Sequence, residues 1–148
     1  MIRLFALFAC CLLHSSSSRG NKPDDAAAAD LKALVGKWKL VKAEIGGKAS
    51  LALFKELKFE IAEGGKYTLE LGVKDEGTFT VDPSKKPAEM EIKGTDGPTK
   101  GKTIKAIYKI DGDTVTICYG LGGGDRPTKF ETKEGTKLFL AVYNREKK

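Results

Sequence analysis

The chain has 148 residues, of which 41% are hydrophobic and 31% charged, and a formal net charge of +6. That is the composition of one folded domain with a single core, and it excludes a disordered chain or a multidomain one. The positive excess is scattered among alternating Lys, Glu and Asp residues, which reads as a solvated surface of mixed charge and not as a nucleic-acid-binding face.

Met1-Ile2-Arg3, the apolar run Leu4–Leu13 and the small residues Ser15–Ser18 have the layout of an export signal over residues 1–18. The run is too short to span a bilayer, which needs about 20 apolar residues. Export to the periplasm or beyond the cell is expected. A lipid anchor on Cys10 is the competing reading, because Leu7-Phe8-Ala9-Cys10 approximates a lipidation motif; Phe8 departs from it. Cys10, Cys11 and His14 all fall in this leader. The rest has one cysteine, Cys118, and no histidine. With no intramolecular disulfide, the domain must rest on its core and its sheet. Cys118 itself reads as a buried, inert thiol.

Residues 19–30 read as a polar, then alanine-rich linker, and residues 31–148 as the folded domain. Asp24 or Asp25 is placed to cap a short helix ending at Leu34, with Gly36 as its stop signal. Trp38–Ile45 is the first strand-like run, Gly46-Gly47 a turn, and Ser50–Glu56 a helical turn or two. Alternation then takes over. Leu57, Phe59 and Ile61 share a face; so do Tyr67, Leu69 and Leu71, then Phe79 and Val81, Met90 and Ile92. Ile104, Ala106, Tyr108 and Ile110 follow, and after the hairpin signal Asp111-Gly112 come Val115, Ile117 and Tyr119. Phe130–Thr132 reads as a weak strand and Leu138–Arg145 as a strong one, apolar on both faces. Period two repeated over short runs with Gly or Asp turns means antiparallel sheet with one buried face. The fold class is all-β: an up-and-down barrel of about eight strands, which hides its sheet edges, with a short N-terminal helix. A β-sandwich is the alternative.

Gly36-Lys37-Trp38-Lys39-Leu40-Val41, Lys66-Tyr67-Thr68-Leu69, Gly101-Lys102-Thr103, Ile107-Tyr108, Asp111-Gly112-Asp113-Thr114, Ile117-Cys118-Tyr119, Arg126-Pro127-Thr128 and Arg145 stand in this order along the chain. In these motifs the chain resembles an uncharacterised lipocalin-like family of small exported proteins abundant in planctomycete bacteria. The resemblance implies a calycin-type barrel and no particular activity. It also implies structural roles for Trp38 and Arg145, a Gly-x-Trp indole at the closed end lying under an arginine of the last strand.

Two glycine-rich stretches come close to nucleotide motifs and fail. Asp96-Gly97-Pro98-Thr99-Lys100-Gly101-Lys102-Thr103 has an acid where a phosphate loop needs glycine, and a strand where it needs a helix. Gly120–Asp125 is followed by Arg126-Pro127 and lies in no strand–helix–strand unit. Without histidine there is no Ser–His or Cys–His pair and no histidine metal ligand, and one cysteine cannot build a zinc site. The carboxylate pairs Glu89–Glu91 and Asp111–Asp113 fall on the outer face or in a turn. No catalytic residue, metal or cofactor is assigned, and an enzyme is not expected.

The inward face is assigned Phe59, Tyr67, Leu69, Phe79, Met90, Ile104, Tyr108, Ile117, Tyr119 and Leu140. It reads as a core filled or narrowly open. The phenols of Tyr67, Tyr108 and Tyr119, with Arg126 on a glycine-rich rim loop, are the candidate ligand-binding residues; Arg126 also reads as a surface or loop-anchoring salt bridge. The function expected is non-catalytic binding of a small apolar ligand in the cell envelope. The alternative is a protein-interaction or inhibitor module with a filled core, gripping an envelope partner with loops Lys93–Lys102 and Tyr119–Lys129.

Overall fold

A computed structural model describes residues 22–148. The export signal assigned to residues 1–18, with Cys10, Cys11 and His14, lies outside the described residues.

Among the described residues one helix, α1 (Pro23–Leu34), precedes nine strands: β1 (Gly36–Ile45), β2 (Lys48–Ala49), β3 (Lys58–Ala62), β4 (Lys66–Leu71), β5 (Val73–Asp82), β6 (Ala88–Asp96), β7 (Thr103–Asp111), β8 (Thr114–Gly120) and β9 (Leu138–Arg145). From β3 to β9 each strand pairs antiparallel with the next, β3 also pairs with β1, and β9 returns to β1. Eight strands therefore close into an up-and-down barrel, and the two-residue β2 is an extra strand on the end of β1. Closure leaves no sandwich and no long free edge.

The period-two pattern carries the interior. Trp38, Phe59, Ile61, Tyr67, Phe79, Met90, Ile92, Ala106, Tyr108, Val115, Ile117, Ala141 and Tyr143 form one buried cluster. In β1 the inward positions run Trp38, Leu40, then Ala43, because Leu40 pairs with Tyr143 but Lys42 with Val142. Val41 is the extra residue of a bulge, and a bulge shifts the alternation by one.

The two ends of the barrel differ. At one, α1 lies across the opening, Leu34 fully buried and Leu31 packed on the core. Pro23 opens the helix and Asp24 and Asp25 sit in its first turn, where negative charge suits the helix dipole. Neither aspartate is the cap; that position is Lys22, with no side-chain bond. At the other end a 3₁₀ turn, Leu51–Phe54, leads into β3. Ser50 takes the N-cap position without a side-chain bond to the turn, and its hydroxyl donates to the Lys48 carbonyl instead.

Two strands and the facing of one residue differ from the sequence reading. β5 starts at Val73, well before Phe79. Phe130–Thr132 is not a strand: β8 and β9 are already paired to each other and to their other neighbours, so no edge remains for it. Residues 121–137 instead form a flap over the outside of the barrel, where half-buried Phe130 packs on Ile107, Cys118 and Leu140. Leu140 therefore points outward and not into the barrel. This second, smaller core explains why β9 is apolar on both faces.

Candidate functional site

Away from α1 the barrel is hollow. A cavity of about 390 Å³ opens between the 3₁₀ turn, the β4–β5 hairpin and the loop carrying Pro98 and Thr99. Its wall is almost wholly apolar, and it includes Phe59, Leu69, Phe79, Ile92, Ile104 and Ile117. One side is an aromatic ladder. Phe54 stacks on Phe139 at 5.2 Å, and Phe139 on Tyr119 at 5.5 Å. Exposed Leu53 and Val73 stand on the same 3₁₀ turn and β4–β5 hairpin.

Polar groups enter this wall at two places. On the ladder side Tyr119 and Tyr143 share a hydrogen bond, oxygen to oxygen 3.1 Å. Burial holds the Tyr119 phenol well above its ordinary range and pushes that of Tyr143 up to about 12, so both stay neutral hydrogen-bonding groups at physiological pH. On the opposite side, Asp75 reaches the cavity with only 7% of its surface exposed. Its Oδ2 accepts from the Tyr67 hydroxyl at 3.1 Å. Its Oδ1 accepts from the Thr99 backbone N–H at 2.9 Å, and the Thr99 hydroxyl lies 2.7 and 2.8 Å from the two carboxylate oxygens. Burial raises the Tyr67 phenol, and the Asp75 charge beside it adds to that rise.

The backbone makes room for this group. Tyr67 faces Gly77 across the β4–β5 ladder, and a Cβ on Gly77 would lie 2.7 Å from the Tyr67 ring and 2.8 Å from its hydroxyl. A Cβ on Gly94 would collide with the Thr99 backbone and side chain. Glycine at these two strand positions lets the aromatic ring and the Thr99 loop close on Asp75.

The four candidate binding residues separate. Tyr67 and Tyr119 line the cavity. Tyr108 faces the interior but lies at the α1 end, where its hydroxyl donates to Asp30 at 2.6 Å and burial raises its pKa. Arg126 is outside the barrel. Its Nη1 donates to the carbonyls of Met90 and Ala106 at 2.7 and 2.6 Å, and its guanidinium stands 3.5 Å from Glu89 and 4.0 Å from Glu91. It fastens the flap to β6 and β7 and does not reach the cavity. Asp75 and Thr99 are not among the candidate binding residues read from the sequence. Asp75 had a usable signal: counted back from Phe79 by twos, Gly77 and Asp75 share its inward face. Thr99 lies in a loop with no period.

Among the described residues no group of three His, Cys, Asp or Glu side chains could hold a metal ion, and no helix is long and apolar enough to cross a membrane. No family model matches the chain, and no curated protein matches it. The architecture stands on geometry: a closed antiparallel barrel of eight strands with one extra strand, a helix at one end and a cavity at the other.

Proposed function

We propose that this chain is a non-catalytic, exported, lipocalin-like carrier that binds a small, mainly apolar molecule in the open half of its barrel. The observation that carries the reading is the cavity of about 390 Å³, open to solvent and walled by aliphatic and aromatic side chains. Sites for small molecules are commonly concave, apolar and of roughly 300–1,000 Å³, with a few polar groups to orient the guest. Burial of such a guest removes its apolar surface, and that of the wall, from water at about 25 cal/mol per Å². The Gly-x-Trp start and the closing arginine, which resemble those of lipocalin-like proteins, support the same reading, as does the leader-like N-terminus.

The interaction-module reading needs a filled core and two loops free to grip. The interior toward the open end is hollow, Thr99 turns inward to Asp75, and Arg126 ties its loop to the barrel wall. Each of these favours the carrier. Native mass spectrometry of the protein purified from its own host tests the choice. A carrier retains, or takes up from a host lipid extract, one guest of a few hundred daltons. A protein that stays at its apo mass in both conditions is not one.

A further inference from the structure

We propose that the guest of this cavity carries a primary or secondary amine, seated on the Asp75 carboxylate, with its apolar body filling the rest of the space. The proposal rests on reading the cavity as a ligand site, and it names the chemical class of the ligand.

Among the described residues, Asp75 is the single carboxylate that lines the cavity, and no Lys or Arg lines it. Among the described residues Asp75 forms no ion pair. Its neighbour Lys74 turns to the outer surface and pairs with Glu76 there. Every described group that contacts the carboxylate is a neutral donor: the Tyr67 hydroxyl, and the backbone N–H and hydroxyl of Thr99. Those are three hydrogens, and an ionised carboxylate has about four acceptor positions. A buried carboxylate held only by neutral donors has no counter-charge beside it, and an uncompensated buried charge is costly in apolar surroundings unless a cation comes to it. The described residues supply none, so a cationic N–H donor from the guest completes the set.

The same features select against other head groups. A carboxylate or phosphate would meet Asp75 with like charge and find no basic residue among the described residues of the wall. An alcohol can donate one hydrogen bond but leaves the charge unbalanced. The cluster is also built and not incidental. Tyr67 reaches Asp75 across Gly77, and Thr99 reaches it across Gly94; a Cβ on either glycine blocks the approach. Were the cluster only a latch for the Gly97–Gly101 loop, removing the charge would loosen that loop and leave the choice of head group untouched.

Displacement of the neutral dye Nile red by decylamine, decanol and decanoate at pH 7, with the full chain, tests this. Decylamine is expected to displace the dye at a concentration at least ten-fold lower than decanol, and decanoate to be the weakest of the three. In Asp75→Asn the amine and the alcohol should converge to within about two-fold. Thr99→Val keeps the carboxylate, so it should keep the preference. Equal displacement by amine and alcohol in the wild type overturns the proposal and leaves the apolar carrier standing; so does an amine preference that survives in Asp75→Asn. If Asp75→Asn does not fold, the wild-type and Thr99→Val rankings decide. Failure of the dye and of all three compounds to bind overturns the carrier reading, and this proposal with it.

Discussion

Arg145 and Trp38 face each other in the β9–β1 ladder, and the guanidinium carbon lies 4.4 Å from the indole centre. In the same posture Arg145 donates to the carbonyls of Ala33 and Val35, at 2.5 and 2.6 Å, at the C-terminal end of α1. The Trp38 ring nitrogen donates to the Leu34 carbonyl at 2.8 Å. A positive charge satisfying the last carbonyls of a helix complements the helix dipole. Gly36, at φ +142°, is where the chain passes under the arginine; a Cβ there would lie 2.7 Å from Arg145 Nη1. The pair thus joins the first strand, the last strand and the helix that covers the closed end.

Replacement of Arg145 by Gln removes the stacking, about 0.5–2 kcal/mol, and the charged hydrogen bonds to the helix end, about 1.5–3 kcal/mol each in full burial and less at this partly exposed site. The expected loss is about 2–4 kcal/mol in urea unfolding followed by Trp38 fluorescence. Arg145→Lys recovers only part of it, because an ammonium cannot stack and fork at once.

Tyr108 belongs to this closed end. Tyr108→Phe loses the bond to Asp30 and is expected to cost about 1 kcal/mol, while Nile red affinity stays within two-fold of the wild type. A large loss of dye affinity would return Tyr108 to the binding site.

The flap has its own test. Cys118 is fully buried beneath it, burial pushes the thiol up to about 11, and Phe130 covers it. Native protein should therefore resist a thiol reagent. Phe130→Ala, and Arg126→Gln, which frees the flap from Met90 and Ala106, should each speed labelling of Cys118 by ten-fold or more without altering the dye affinity. Rapid labelling of the wild type would contradict the placement of the flap.

Stability should fall in alkali. The Cys118 thiol and the Tyr67, Tyr119 and Tyr143 phenols all hold their protons more tightly when folded, chiefly through burial. Their stabilising effect is complete below the unfolded pKa values, about 9 for the thiol and about 10 for the phenols. It is lost as pH rises toward the folded values, about 11 for Cys118 and about 12 for Tyr143. Between those limits the unfolded chain binds fewer protons, so each group steepens the decline by up to about 1.4 kcal/mol per pH unit. Urea midpoints should be level to about pH 9 and drop steadily above it. Phenolate absorbance should rise with unfolding and not before it.

The barrel was readable because alternation is a strong signal wherever one sheet face is dry. The Trp38–Arg145 contact was readable only through a family resemblance; nothing in the spacing alone brings residues so far apart together. Depth along the barrel was not readable. Period two states which face a side chain takes and not how near the mouth it lies, so Tyr108 and Tyr67 looked equivalent. Asp75 was hidden because Val73–Gly77 mixes Lys, Asp, Glu and Gly and resembles a turn. Leu140 was misplaced since β9 is apolar on both faces, and the second face is buried by a flap whose course has no period. Arg126 stands in that same aperiodic segment; a loop-anchoring salt bridge was legible as one of its two readings, but the strands it reaches, β6 and β7, were not.

The central claim is that the open end of the barrel receives an apolar guest. A fluorescence titration of Nile red against the wild type and Leu69→Trp, a substitution that puts a bulky indole in place of an aliphatic side chain of the cavity wall, tests it directly. The account predicts saturable, one-to-one binding with a blue-shifted emission in the wild type, weakened at least ten-fold in a folded Leu69→Trp. Emission that rises without saturating, or an affinity that the added indole leaves unchanged, would contradict it.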